Sequence, residues 1–300
     1  MVAARRHLVL VRAGASSLHR TWLGGPARNF DIAVSAFGTL TPEAAGPVDL
    51  YAHYDGGKWD GIAHFLRERP TLLEAYDYVW LPDDDIATDA ASIERMFAIA
   101  RHHRLDVCQP ALTADSFYSY PETLALDGYV LRYTNLVEIM MPCLAVPVLR
   151  ELLPLLGGTM SGFGLDMVWA RRRPPGDRAY AILDACAMRH TRPVGTALKR
   201  AIDAVGRDQW HERDALLASC GADEITPTIH AARRLDGRLV TGRARLGLAM
   251  AAAWWRARAE YVQPPRRKHF RRLLERHLAP RAPALQPLPL PSRPSVPRPI

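Results

Sequence analysis

Apolar residues in the first part of the chain come in short unbroken runs. Residues 8–11, 30–37, 48–54, 78–81 and 107–112 each read as a buried strand. Gly38 closes the second run, Asp55-Gly56-Gly57 the third and Pro82 the fourth. Between them the rhythm changes. Ile62, Phe65 and Leu66 recur at helical spacing within 59–73, interrupted by Pro70, and Ile93, Met96, Phe97 and Ala100 mark one face of a helix capped by Asp89 or Ser92. Strands alternating with helices or short connections predict an α/β sheet with a substantial parallel part.

The second half is less regular. Residues 129–133 and 137–146 are apolar, Pro147 opens a helix through Leu156, and Gly157-Gly158 ends it. Ser161-Gly162-Phe163-Gly164-Leu165-Asp166 leads into a helical 167–173, stopped by Pro174-Pro175. Residues 180–188 read as the last strand, which delivers Arg189 and His190. Helices are expected from Thr191 on, ending in a basic amphipathic helix over 266–277 with Phe270, Leu273, Leu274 and Leu278 on one side. Eight of the 24 prolines fall at or after Pro280, so the end reads as disordered or polyproline-like.

Charge sharpens this division. The net charge is +8, and from Tyr261 onward there are nine Lys/Arg against one Glu, so residues 1–260 are neutral. Attraction to anionic lipid or nucleic acid therefore belongs to the end of the chain. Four widely spaced cysteines with no CxxC pair read as buried thiols in a reducing compartment. The apolar run after Arg5 and Arg6 is too short for a signal-peptide core, and the uncharged run 246–255 is about half a membrane span. The expected location is the cytoplasm.

The candidate chemistry begins where the 78–81 strand runs into Asp83, Asp84 and Asp85. Side chains alternate in extended chain, so Asp83 and Asp85 point one way and Asp84 the other. Two adjacent carboxylates repel, and a divalent cation such as magnesium, manganese or calcium relieves that repulsion. An isolated acidic triplet is as readily a solvated turn, but this one sits at a strand's carboxyl end, where open α/β sheets bind ligands. Two further groups lie at element ends. Asp166 follows a Gly-x-Gly turn at a helix start, and His190 follows the last strand. Singly, a capping Asp and a satisfied core His are the simpler explanations. Their order along the chain favours chemistry.

That order resembles a nucleotide-sugar glycosyltransferase of the GT-A type. More closely, the chain resembles an uncharacterised bacterial and plant family of unknown function regarded as glycosyltransferase-like. The matching residues are Lys58-Trp59-Asp60-Gly61-Ile62, Tyr78 through Asp85, Gln109-Pro110-Ala111-Leu112-Thr113, Arg132-Tyr133-Thr134-Asn135, Val137-Glu138-Ile139-Met140, Gly162 through Asp166, Asp184 and His190. The resemblance covers residues 5–195. It implies a GT-A-like (Rossmann-like), mixed and largely parallel sheet flanked by helices. It also implies a metal-dependent, hexosyltransferase-like enzyme of polysaccharide biosynthesis, moving a sugar from a nucleotide-sugar donor to a hydroxyl of a glycan or lipid-linked acceptor. Asp83, Asp85 and His190 would hold manganese or magnesium, Asp84 would reach the donor's ribose, and Asp166 would be the base of an inverting transfer. Arg12, Asp55 and Lys58, at the ends of early strands, are weaker candidates for the nucleotide.

The expected layout is a catalytic domain over 1–195, a helical extension over 196–262, the basic helix 263–279 and the Pro-rich tail 280–300. The helix could meet the inner face of an anionic membrane, and no specific nucleic acid is expected. Two alternatives remain open. One is a different metal-dependent nucleotide-sugar or phosphate enzyme, which the single Gly of the Arg12–Ser17 loop and the late position of the Asp-x-Asp disfavour. The other is a non-catalytic peripheral membrane or glycan-binding protein.

Overall fold

The computed structural model describes residues 5–24, 28–174, 177–195, 202–204 and 206–279; the Pro-rich tail lies outside the described residues. The core is one mixed sheet. Its spatial order is β11 (Leu239–Thr241), β10 (Ile229–Arg234), β7 (Tyr129–Thr134), β9 (Tyr180–His190), β6 (Val107–Leu112), β8 (Cys143–Ala145), β4 (Tyr78–Trp80), β1 (His7–Ala13), β2 (Phe30–Ala36) and β3 (Leu50–His53). A short β5 (Ile86–Ala87) pairs with the end of β9. The pairs among β4, β1, β2 and β3 are parallel, as is β6 with β9. β8 runs antiparallel between β4 and β6, and β7, β10 and β11 add antiparallel pairs at the far side.

Every residue of β1 is buried because both faces of the sheet are covered. Leu8 and Leu10 pack with Trp59, Phe65 and Leu152, under α2 (Lys58–Arg67), α4 (Val146–Leu156) and α5 (Leu165–Ala170). Val9 and Val11 face the opposite core with Ile32, Trp80 and Phe97, under α3 (Ala90–His102). A short α1 (Pro42–Ala45) precedes these. The period-two alternation of a strand thus separates two cores within one continuous apolar run. Asp89, one of the two expected caps, accepts the Ser92 amide at 2.8 Å and starts α3.

The helical extension expected over 196–262 is corrected by the structure, because its described residues include two strands. After α6 (Gln209–Cys220) it contributes β10 and β11 to the sheet, and only then α7 (Arg243–Arg256). The segment Ile-His-Ala-Ala-Arg-Arg carries one β-branched residue, so its strand character comes from pairing with β7 rather than from propensity. The basic helix α8 (Arg267–Leu278) packs against α7: Leu273 is fully buried, and Phe270 meets the Trp254 ring edge-on at 5.6 Å. Leu273 and Phe270 of its apolar edge therefore face protein, while Leu278 is exposed. Within the described residues, no helix is long and apolar enough to cross a membrane.

Two residues of the resemblance, Arg132 and Asp184, form a buried ion pair at 2.8 Å. Arg132 also donates to the Glu122 and Leu124 carbonyls at 2.7 and 2.6 Å, and Asp184 accepts the Leu126 amide at 3.0 Å. The pair joins β7 and β9 to the 122–126 segment, and its hydrogen bonds offset the cost of burying both charges.

Candidate functional site

The acidic triplet is held at its N-terminal end by strand-like pairing that outlasts β4. The Leu81 and Asp83 amides donate to the Pro142 and Met140 carbonyls at 2.8 and 2.9 Å. Pro82, which has no N–H, falls at the position between them, where none is required. The chain then doubles back as β5, which places Ile86 opposite His190 and Ala87 opposite Arg189. This pairing brings a histidine more than a hundred positions away onto the triplet.

Asp83, Asp85 and His190 converge, with one ligand atom from each lying within 4.8 Å of the others. The His190 Nε2 is 3.2 Å from Asp85 Oδ2, and its Nδ1 is 3.0 Å from the Phe117 carbonyl. A carbonyl only accepts, so Nδ1 carries a proton; the Nε2–H of the charged ring donates to Asp85, and a bound cation would take the Nε2 lone pair of the neutral ring instead. Burial works against the charged ring, but the Asp85 carboxylate outweighs it and raises the His190 pKa. For Asp85, burial is likewise outweighed, by His190, and its carboxyl is held below the usual range. Two carboxylates and an imidazole suit magnesium or manganese, with room in the shell for water or phosphate oxygens. The residues present fit a divalent cation.

The other expected contacts take different places. Lys58, in the first turn of α2, donates to Asp83 Oδ1 at 2.6 Å and to the Ile139 and Met140 carbonyls at 2.9 and 2.8 Å. An ammonium has three donors, so all are committed, and Lys58 orients Asp83. Arg12 is also not free. Its guanidinium is buried and donates to the Ser35, Ala36, Tyr54 and Gly56 carbonyls, tying together the ends of β2 and β3. Burial lowers its pKa to about 10. Asp55 is exposed and accepts the Gly38 amide at 3.1 Å. Asp84 accepts from the Gly14 amide at 3.0 Å and from Arg192 at 3.0 Å, joining the triplet to the loop after β1.

Asp166 enters α5 behind Gly164, whose φ of 93° is open to glycine. Gly162 is equally constrained: with φ 72°, a Cβ there would lie 2.0 Å from Trp59 Nε1. The turn is clamped from outside by α6, where Glu212 accepts from the Thr159 hydroxyl and the Ser161 amide at 3.1 and 2.9 Å. Asp166, which as a base would have to reach an acceptor hydroxyl, is buried. Burial pushes its carboxyl up to about 7 against the local amides that stabilise its charge.

Two residues that sequence reasoning did not single out complete the surroundings. Glu138 is buried and exchanges hydrogen bonds with Gln109, accepting from its amide group at 3.3 Å and donating its own N–H to Gln109 Oε1 at 2.8 Å. Burial pushes its carboxyl up to about 7; the charges of Asp166 and Asp83 add to this, while Gln109 and His190 oppose it. Its position as one acid within the apolar Val137-Glu138-Ile139-Met140-Met141 was the available signal. Arg192 donates to Asp84 and, at 2.7 Å, to the Ser16 carbonyl, and its Nε lies 4.0 Å from Asp85. It remains 41% exposed, which leaves it able to meet a ligand. Nothing in its local sequence distinguishes it from other arginines.

Solved structures to which the chain is similar include S. aureus TarS residues 1–349 in complex with UDP-GlcNAc, with a TM-score of 0.48 and 11% identity over 90% of this chain and 79% of that one. The same fragment in complex with UDP gives 0.42 and 11%, over 71% and 70%. Another TarS structure gives 0.45 and 12%, over 71% of this chain; the present chain spans 42% of that longer one. No curated protein matches. In sequence, residues 51–128, which hold Asp55, Lys58 and the acidic triplet, match the family described as "Protein of unknown function (DUF707)".

Proposed function

We propose that the protein is a metal-dependent glycosyltransferase that moves a sugar from a nucleotide-sugar donor to a hydroxyl of a glycan or lipid-linked acceptor. The observation that carries this reading is the convergence of Asp83, Asp85 and His190 at the carboxyl ends of sheet strands, with Lys58 locked onto Asp83. A divalent cation held there supplies positive charge against the departing nucleoside diphosphate. Arg192, the exposed cation beside the cluster, faces the donor's phosphates as a hydrogen-bonding guanidinium. Asp166 accepts the acceptor hydroxyl's proton as the new bond forms, with inversion of the anomeric centre. Its near-neutral pKa suits a base working at ordinary pH, and its charge in turn raises the pKa of the buried Glu138.

A peripheral contact with anionic membrane belongs to the same reading, with its surface revised. The basic groups of α7 and α8 supply the charge, and exposed Leu248 and Trp255 on α7 supply the apolar contact, because Leu273 and Phe270 of α8 are packed against the protein.

The test is release of nucleoside diphosphate from a panel of nucleotide sugars, with and without manganese. Asp83→Asn combined with Asp85→Asn is expected to abolish manganese-dependent release and any manganese-dependent thermal shift, while far-ultraviolet circular dichroism stays unchanged. Full metal-dependent turnover in that variant would sink the assignment.

A further inference from the structure

On the α3 side of the sheet, a cavity of about 580 Å³ lies between that helix and the hairpin joining β10 to β11. It is separate from the acidic cluster. α3 starts just after β5 and runs 13 residues away from it, on the order of 20 Å, to His102. Arg95, His102, His103, Arg233 and Arg234 line the cavity, and no lining residue is an acid. Ile99 and Val130 contribute apolar wall. This volume is in the range of small-molecule sites.

The arginines are incompletely satisfied. Arg233 donates through Nη1 to the Gly237 carbonyl at 2.8 Å, yet its Nε is buried without a hydrogen-bond partner. The Arg234 Nε is also buried without a hydrogen bond, although Arg234 pairs with Asp236 at 3.7 Å and lies over the Tyr129 ring at 5.5 Å. Arg95 donates to the Ala185 carbonyl at 3.3 Å. Buried N–H groups without acceptors are costly, and two on adjacent arginines beside an acid-free cavity call for an anion. A phosphate answers best, because its several oxygens accept from convergent donors and its charge matches a cluster of cations.

We propose that this cavity is a binding site for a phosphate-bearing small molecule, held by Arg233, Arg234 and His103 with its apolar part against Ile99 and Val130. The anion also relieves the crowding of positive charge around His103. Burial first, then the charges of His102 and Arg233, lower the His103 pKa, and a bound phosphate works in the opposite direction.

The experiment is calorimetric titration of the full chain with phenyl phosphate and with inorganic phosphate, at constant ionic strength and in the presence of a chelator. Saturable binding is expected, tighter for phenyl phosphate, with a rise in the His103 pKa read by NMR. Arg233→Gln with Arg234→Gln is expected to weaken binding by about tenfold or more. Arg95→Gln with His103→Gln, which leaves the hairpin's own hydrogen bonds in place, is expected to weaken it as well. Asp83→Asn with Asp85→Asn is expected to leave it unchanged, which separates this site from the proposed active site. Absence of saturable binding, equal affinity for the two phosphates, or indifference to both cavity variants overturns the proposal.

Discussion

At the scale of single residues, the site is organised by what each polar group already spends. Lys58 and Arg12 look like free cations in the sequence, yet the Lys58 donors are consumed by Asp83 and two carbonyls, and both Nη groups of Arg12 by backbone carbonyls. Asp166 and Glu138 are the reverse case: both are buried acids with pKa values near 7. If Asp166 is the base, turnover should fall as pH drops below about 7, because the protonated carboxyl cannot accept a proton. Asp166→Asn is expected to lower kcat by about 10²–10⁴ with little change in donor KM. Glu138→Gln is expected to leave that limb in place, because burial and its own local amides set the Asp166 pKa. Should the limb survive unchanged in Asp166→Asn, the base is another group. Stability carries the opposite sign. A carboxyl whose folded pKa is raised favours the fold below its unfolded value, and this contribution is lost as pH rises through about 7.

At the scale of elements, α8 belongs to the fold. His277 is buried in it, donates from Nδ1 to the Leu273 carbonyl at 2.8 Å, and accepts the β10 Ile229 amide on Nε2 at 3.0 Å. Both bonds together require the neutral ring, and burial lowers its pKa to about 4. The folded pKa lies below the unfolded one, so this contribution is present above the unfolded value of about 6.5 and is lost as pH falls toward 4. It is on the order of 3 kcal/mol at most. Thermal unfolding followed from pH 7.5 to 4.5 should show a loss of stability that His277→Gln blunts; parallel curves would remove His277 from the account. Truncation after residue 262, harmless if the basic helix were an appendage, is expected to destabilise the chain because it strips Leu273 and His277 from the core.

At the scale of the whole molecule, charge is segregated. Residues 243–278 contain ten Lys/Arg and two Glu, whereas residues 1–260 are neutral as a group. Near an anionic surface each basic residue is worth about 1 kcal/mol. Co-sedimentation with phosphatidylserine vesicles is therefore expected to be strong at low salt and to weaken steeply as salt rises. Trp255→Ala with Leu248→Ala should reduce it further, because those side chains are exposed. Binding indifferent to salt and to that variant would count against a membrane contact.

The sequence by itself determined whatever rests on local pattern. Strands buried on both faces announce themselves as unbroken apolar runs, and the α3 face and its Asp89 cap follow from period and cap chemistry. Asp83 and Asp85, two of the three candidate ligands, were legible as a pair, but β4 ends at Trp80 and Asp84-Asp85 form a turn, so the turn and not strand alternation brings them together. Tertiary structure decided the rest. The place of His190 beside Asp85 depends on the β5–β9 pairing of residues about a hundred positions apart, which no local spacing encodes. β10 is a strand because β7 offers it an edge, and Ile-His-Ala-Ala-Arg-Arg has little propensity of its own. Which cations stay available and which acids are buried near neutrality depends on desolvation and on hydrogen-bond partners from distant segments. Those properties come into being only when the chain closes on itself.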